Sequence, residues 1–191
     1  PLDFVSGFAV ASYEEAHILR NAGIRKPLLI LGYTFPYCYK QLAEEELRPA
    51  VFRMDTVPLL GEAAERTGKP VRVHVKVDTG MNRIGVAPDG DGLRFVEALM
   101  EQDGIEIEGI FTHFARADEC DKADALKQLA TFQGFIHMIK EKLGLTIPVK
   151  HCSNSAGILE LPQANMDAVR AGIALYGLYP SEEVSREAVS L

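Results

Sequence analysis

The stretch 71–78, VRVHVKVD, constrains the fold more than any other part of the chain. Valines hold positions 71, 73, 75 and 77, and Arg72, His74, Lys76 and Asp78 hold the positions between them. Strand side chains alternate, so one face is aliphatic and the other carries four ionisable groups. A doubly wound parallel sheet is covered by helices on both faces and needs both to be apolar. A (β/α)8 barrel whose lumen turns polar near its mouth accepts the pattern, with the valines toward the helices and the charges inside.

The rest of the chain alternates short apolar runs with helix-like stretches, which predicts an α/β fold with a parallel sheet. Seven strands are expected, at 7–11, 27–31, 48–52, 71–78, 108–113, 149–153 and 168–174. The fold class is therefore a TIM-type barrel that is incomplete, with about seven of its eight strands present. Ser12 with Glu15 forms a capping box for the first helix, which Gly23 ends. A second helix follows Pro36, Asp55 or Thr56 caps a third that Gly68 ends, and Asp91 or Gly92 opens a fourth that stops before Gly104. The longest, 121–143, carries an apolar stripe of Leu126, Leu129, Phe132, Ile136, Ile139 and Leu143.

Composition narrows the function. Of 191 residues, 47% are hydrophobic and 25% charged, the balance of a folded globular protein. The net charge of -7 with no Lys/Arg-rich run argues against a nucleic-acid partner. No apolar run approaches the ~20 residues of a membrane helix, so no membrane partner is expected within the chain. Cys38, Cys120 and Cys152 contain no C-x-x-C pair, which suits reduced thiols in the cytoplasm and gives no metal site.

Barrels bind ligands at the C-terminal ends of their strands. Lys76, Asp78 and Arg83 fall at the end of the fourth expected strand, His113 at the fifth, 151–155 at the sixth and 170–173 at the seventh. So many cationic and hydroxyl groups at one mouth favour an anionic ligand. The Ser155 hydroxyl and the bare backbone around Gly172 and Ile173 suit a phosphate.

Several segments together carry a family resemblance: FAVAS at 8–12 with EEA at 14–16, VKVDTGMNRIG at 75–85, THFA at 112–115 with ADE at 117–119, HCSNSA at 151–156, and VRAGIALYG at 169–177. In this order, and over nearly the whole chain, they resemble the alanine racemases. The resemblance implies a pyridoxal 5'-phosphate barrel at 1–180, with 181–191 beginning the connection to a C-terminal β domain. It implies that the full-length protein interconverts L- and D-alanine, supplying D-alanine for peptidoglycan, and works as a homodimer. The two bases of that family, a cofactor-bearing lysine on the first strand and a tyrosine of the β domain, are expected outside this stretch. The isolated 191 residues are accordingly expected to be inactive.

The resemblance also implies roles residue by residue. Arg170 matches the arginine facing the pyridine nitrogen, His113 a histidine that orients it, and Ser155, Gly172 and Ile173 the phosphate cradle. Arg83 matches the arginine near the cofactor's phenolic oxygen and the substrate carboxylate, and Lys76 a lysine often carbamylated to hold it. At position 82, where many members have glycine, this chain has Asn82. Three alternatives stand beside this reading: a serine racemase of the same family, a non-catalytic pyridoxal-phosphate barrel, and a metal-dependent barrel hydrolase using Lys76, His113 and His151.

Overall fold

The computed structural model describes residues 3–186. Strands and helices alternate: β1 (Phe8–Val10), α1 (Tyr13–Asn21), β2 (Leu28–Ile30), α2 (Tyr39–Glu44), β3 (Arg48–Val51), α3 (Val57–Thr67), β4 (Val71–Lys76), α4 (Gly90–Glu101), β5 (Ile105–Phe111), α5 (Ala123–Leu143), β6 (Val149–His151) and α6 (Ser155–Glu160). The strands lie in the order β1-β2-β3-β4-β5-β6. Pairing is parallel, with Phe8 opposite Leu28, Leu29 opposite Arg48, Ala50 opposite His74 and Gly109 opposite Val149. A doubly wound sheet reverses its order at a switch point. This one follows the chain throughout, as barrel strands do.

Among the described residues six strands form where seven were expected. The segment 168–174 is reduced to a single bridge between His151 and Ala168. Asp167 N–H donates to Lys150 O and Arg170 N–H to Ser153 O, both at 3.0 Å, so the chain starts alongside β6. It then leaves at Ala171-Gly172, which offer almost no side chain to pack on a pleated surface, and Ile173–Tyr176 winds into a 3-10 turn.

The chain divides into two compact units, Pro1–Lys76 with Arg94–Glu108, and Val77–Leu93 with Gly109–Leu191. In the first, Leu28, Ile30, Leu42, Leu60, Val73, Val75, Val96 and Leu99 are fully buried. The other face of β4 is polar and paired: Arg72 pairs with Glu106 at 2.9 Å, and His74 Nε2 lies 3.2 Å from Glu108 Oε2. Arg48 adds two bonds to the same carboxylate, at 3.0 and 3.3 Å. These hydrogen bonds, that from His74 first, hold Glu108 at about 2, below the usual carboxylate range. Two charged faces therefore satisfy each other across neighbouring strands, which is how β4 carries both a valine face and a charged one.

Local signals fared unevenly. Ser12 Oγ accepts from Glu15 N–H, but Glu15 returns its carboxylate to Ala11 N–H rather than to Ser12. Gly68 ends α3 in the left-handed region, φ 65°. α4 opens at Gly90, one residue before Asp91, and the preceding Asp89 accepts through Oδ1 from the backbone N–H of Asp91 and Gly92.

In the second unit Ile110, Phe111, Phe114, Phe132, Phe135, Ile139 and Cys152 form the core. The buried face of α5 is rotated from the expected stripe. Leu126 is 42% exposed, whereas Gln128 is only 5% exposed. Of the expected connection 181–191, residues 187–191 lie outside the described residues. Before them, Ser181 Oγ donates to Asp118 O at 2.6 Å and Val184 is buried.

Candidate active site

Val77 and Val86 form an isolated bridge, and Asp78 N–H donates to Val86 O at 2.9 Å, closing residues 78–86 into a tight turn after β4. Asp78 Oδ1 accepts from the N–H groups of Gly80 and Asn82, both at 3.0 Å. A Cβ on Gly85 would meet Asp78 N at 2.5 Å, so only glycine fits there. Asn82 has φ 54°, the left-handed region in which glycine and asparagine are the least strained residues. Asparagine therefore fits this backbone with little strain. Arg83 follows it, exposed on the turn.

Beyond β5 come Thr112 and His113, and beyond β6 come Cys152, Ser153 and Asn154. Asn154 caps α6 by accepting from Gly157 N–H at 3.0 Å. Since the segment after Ala168 still tracks β6, Arg170 is delivered beside both strand ends. Its NH1 donates to His151 Nδ1 at 2.6 Å, and its NH2 donates to Thr112 O at 2.8 Å and Cys152 O at 3.1 Å. NH2 also faces His113 Nδ1 at 3.4 Å. A guanidinium has no acceptor, so each imidazole presents an unprotonated Nδ1 to it. The guanidinium lies 5.2 Å from the centre of the Phe111 ring, against which His151 stacks at 4.9 Å. Burial lowers the Arg170 pKa to about 10, which leaves it a cation near neutrality.

Ser155 is buried at the start of α6, and its Oγ accepts from the N–H groups of Gly172, at 3.1 Å, and Ala174, at 3.2 Å. Ile173 lies between these two donors at the start of the 3-10 turn. The nearest atom to a Cβ on Gly172 would be that same Oγ, at 4.0 Å. Two backbone amides thus meet at the Ser155 hydroxyl oxygen, and these amides and this hydroxyl are the kinds of donor that a phosphate oxyanion takes. Lys76 belongs to the first unit, where it ends β4 at 2% exposure.

The structure brings Arg170 together with His113, and Ser155 with Gly172. It adds His151, which the sequence placed at the mouth without a role toward the arginine. A guanidinium on the Nδ1 atoms of both histidines opposes a divalent cation there, which argues against the hydrolase alternative. Among the described residues no cluster of three or more His, Cys, Asp or Glu could hold a metal.

The strand order and this site define the class: a parallel α/β barrel domain with an arginine-centred group of residues at the C-terminal ends of its strands. Residues 2–180 match the family described as alanine racemase, N-terminal domain. The alanine racemase of Desulforamulus reducens is 44% identical over 178 residues, 93% of this chain and 48% of that protein. In structure the chain is similar to a Clostridium difficile 630 alanine racemase in complex with cycloserine, with TM-score 0.94 and 37% identity over 98% of this chain and 51% of the other. It is also similar to a histidine racemase from Leuconostoc mesenteroides, with TM-score 0.87 and 28% identity over 98% and 50%. The chain belongs to the alanine racemase family, and it spans about half the length of the relatives it matches.

Proposed function

We propose that the whole protein containing this chain is a pyridoxal-phosphate-dependent alanine racemase, with residues 1–180 as its partial cofactor barrel and 181–191 leading to a further domain. The observation that carries the reading is the Arg170 cation, held by His151, His113 and two carbonyls near the Ser155–Gly172 cradle. Bound pyridoxal phosphate would supply the electron sink that makes the substrate Cα–H acidic. Ser155, Gly172 and Ile173 would hold its phosphate. Arg170 would face the ring nitrogen and, as a permanent cation there, oppose its protonation. That weakens the sink and favours returning the proton to Cα over side reactions.

Arg83 would attract the substrate carboxylate. Lys76, almost wholly buried, would be carbamylated and so become an anion that orders Arg83. Racemisation removes a proton from one face of Cα and returns one to the other, so nothing is consumed. Alanine is the substrate the family favours, with D-alanine for peptidoglycan as the product's use. The whole protein would be a homodimer, as the family resemblance implies, and the three free thiols suit the cytoplasm.

The test is a coupled assay on the full-length protein with L-alanine, L-serine and L-histidine, together with the absorption spectrum of the bound cofactor. Preferred turnover of alanine supports the reading. Preference for serine or histidine corrects the substrate, and a cofactor spectrum with no turnover of any of the three points to the non-catalytic barrel. Intact-mass analysis before and after acid treatment reads the carbamate on Lys76.

A further inference from the structure

The racemase reading leaves a buried amide on α5 without a role. Gln128 is 5% exposed, and both ends of its side chain are engaged. Its Oε1 accepts from Ala115 N–H at 2.9 Å, while Nε2 donates to His113 O and to Thr79 Oγ1, both at 3.3 Å. Thr79 Oγ1 lies 2.7 Å from Thr112 Oγ1, and the Thr112 hydroxyl donates to Val77 O at 3.0 Å. The Thr112 proton being committed to Val77 O, the hydroxyl of Thr79 must be the donor between the two threonines. The chain of donation therefore has one direction: Gln128 to Thr79 to Thr112 to the backbone of β4's end.

Two residues bonded within this network, Thr112 and His113, also meet Arg170. Thr112 offers its carbonyl to the guanidinium at 2.8 Å, and His113 its Nδ1 at 3.4 Å. Gln128 grips the two peptides that flank Phe114. Through Thr79 it also grips the turn that carries Arg83, and Gly80 of that turn lies against its side chain. An amide buried without partners is costly, so a glutamine here is tolerated only with these bonds in place.

Resting on the racemase reading, we propose that Gln128 is a positioning residue. It sets the register between the turn after β4 and the loop after β5, and through them the aim of Arg170, His113 and Arg83. It touches neither substrate nor cofactor. Its effect is on turnover, by holding supporting groups within the small tolerance that catalysis requires.

The test uses the full-length holoenzyme with two variants. Gln128→Met keeps the volume and loses every polar bond. Gln128→Glu keeps an acceptor for Ala115 N–H but turns a second oxygen toward His113 O and Thr79, and recovers a donor only when the carboxyl is protonated. Gln128→Met is expected to lower kcat about tenfold or more per folded, cofactor-loaded subunit, with KM changed much less. The amides of 113–116 are expected to exchange hydrogen faster in the same variant, a readout independent of turnover. Gln128→Glu is expected to regain activity relative to the unaltered enzyme as pH falls, a pH dependence that loss of packing alone would not create.

Wild-type kcat, exchange and pH profile in both variants would overturn the proposal, as would a loss of thermal stability with unchanged kcat per folded subunit. An unaltered enzyme that racemises no amino acid would instead sink the functional reading. The exchange result would then still decide whether Gln128 holds the 113–116 segment.

Discussion

Arg170 donates to Nδ1 of His151 at 2.6 Å while that imidazole lies flat on Phe111, 4° from parallel. The stacking fixes the ring and the bond fixes the guanidinium, so the cation is aimed by aromatic packing as well as by hydrogen bonds. Its remaining contacts in the site run to the Thr112 and Cys152 carbonyls and to His113.

From this follows the behaviour of changes at Arg170. Lysine keeps the charge but cannot bridge an imidazole and two carbonyls at once. Arg170→Lys in the full-length enzyme is expected to lower kcat/KM about tenfold or more, the scale of one lost charge-assisted bond of ~1.5–3 kcal/mol. Arg170→Glu would set a carboxylate against two carbonyl oxygens, slowing racemisation further and altering the cofactor's absorption. Steady-state kinetics and the absorption spectrum are the checks, and no change in either would refute the assigned role.

A backbone prediction concerns the turn after β4. Asn82 sits at φ 54° and Gly85 at φ 134°. Asn82→Gly is expected to be near neutral, whereas the β-branched Asn82→Val costs about 1–2 kcal/mol in the left-handed region. Gly85→Ala should cost more, because its Cβ would clash with the backbone of Asp78. Urea denaturation midpoints of the three variants rank them, and equal midpoints would mean that the turn relaxes.

Acid stability should report Glu108. Its pKa falls from the ordinary 4.5 to about 2 in the folded protein, so the unfolded chain binds its proton first as pH drops. The stabilisation is full above about pH 4.5 and is lost as pH falls toward 2. Glu108→Gln should flatten that limb of the stability profile relative to the unaltered protein, and parallel profiles between pH 2 and 5 would contradict the pairing with His74 and Arg48.

Thiol reactivity separates the three cysteines. Cys120 is exposed, while Cys38 and Cys152 are buried. Burial also raises the Cys152 thiol to about 11. Since the thiolate is the nucleophile, brief alkylation of the folded protein should label Cys120 first, and Cys38 and Cys152 only on unfolding. Peptide mass spectrometry reads the order, and early labelling of Cys152 would show that the segment around it opens.

Much of the fold was legible because its determinants are local. The alternating valines of 71–77 require a strand with two unlike faces, Gly68 and Ser12 end and begin helices through their own backbone and side-chain chemistry, and the motifs from Phe8 to Gly177 mark the family. The seventh expected strand failed for a non-local reason. Periodicity shows that a segment can be extended, but a strand exists only when a neighbour completes its ladder, and 168–174 keeps a single bridge.

The sequence by itself determined the alternating α/β pattern, the choice of a barrel over a doubly wound sheet and the residues around which a site would form. Only the tertiary structure decided that Glu108 answers both His74 and Arg48, that His151 rather than His113 makes the shorter bond to Arg170, and that Gln128, outside the apolar stripe expected for α5, is buried. Those partners lie 19 to 60 positions apart along the chain. Hydrogen bonds of that separation depend on strand register and helix rotation, which no short window of sequence encodes.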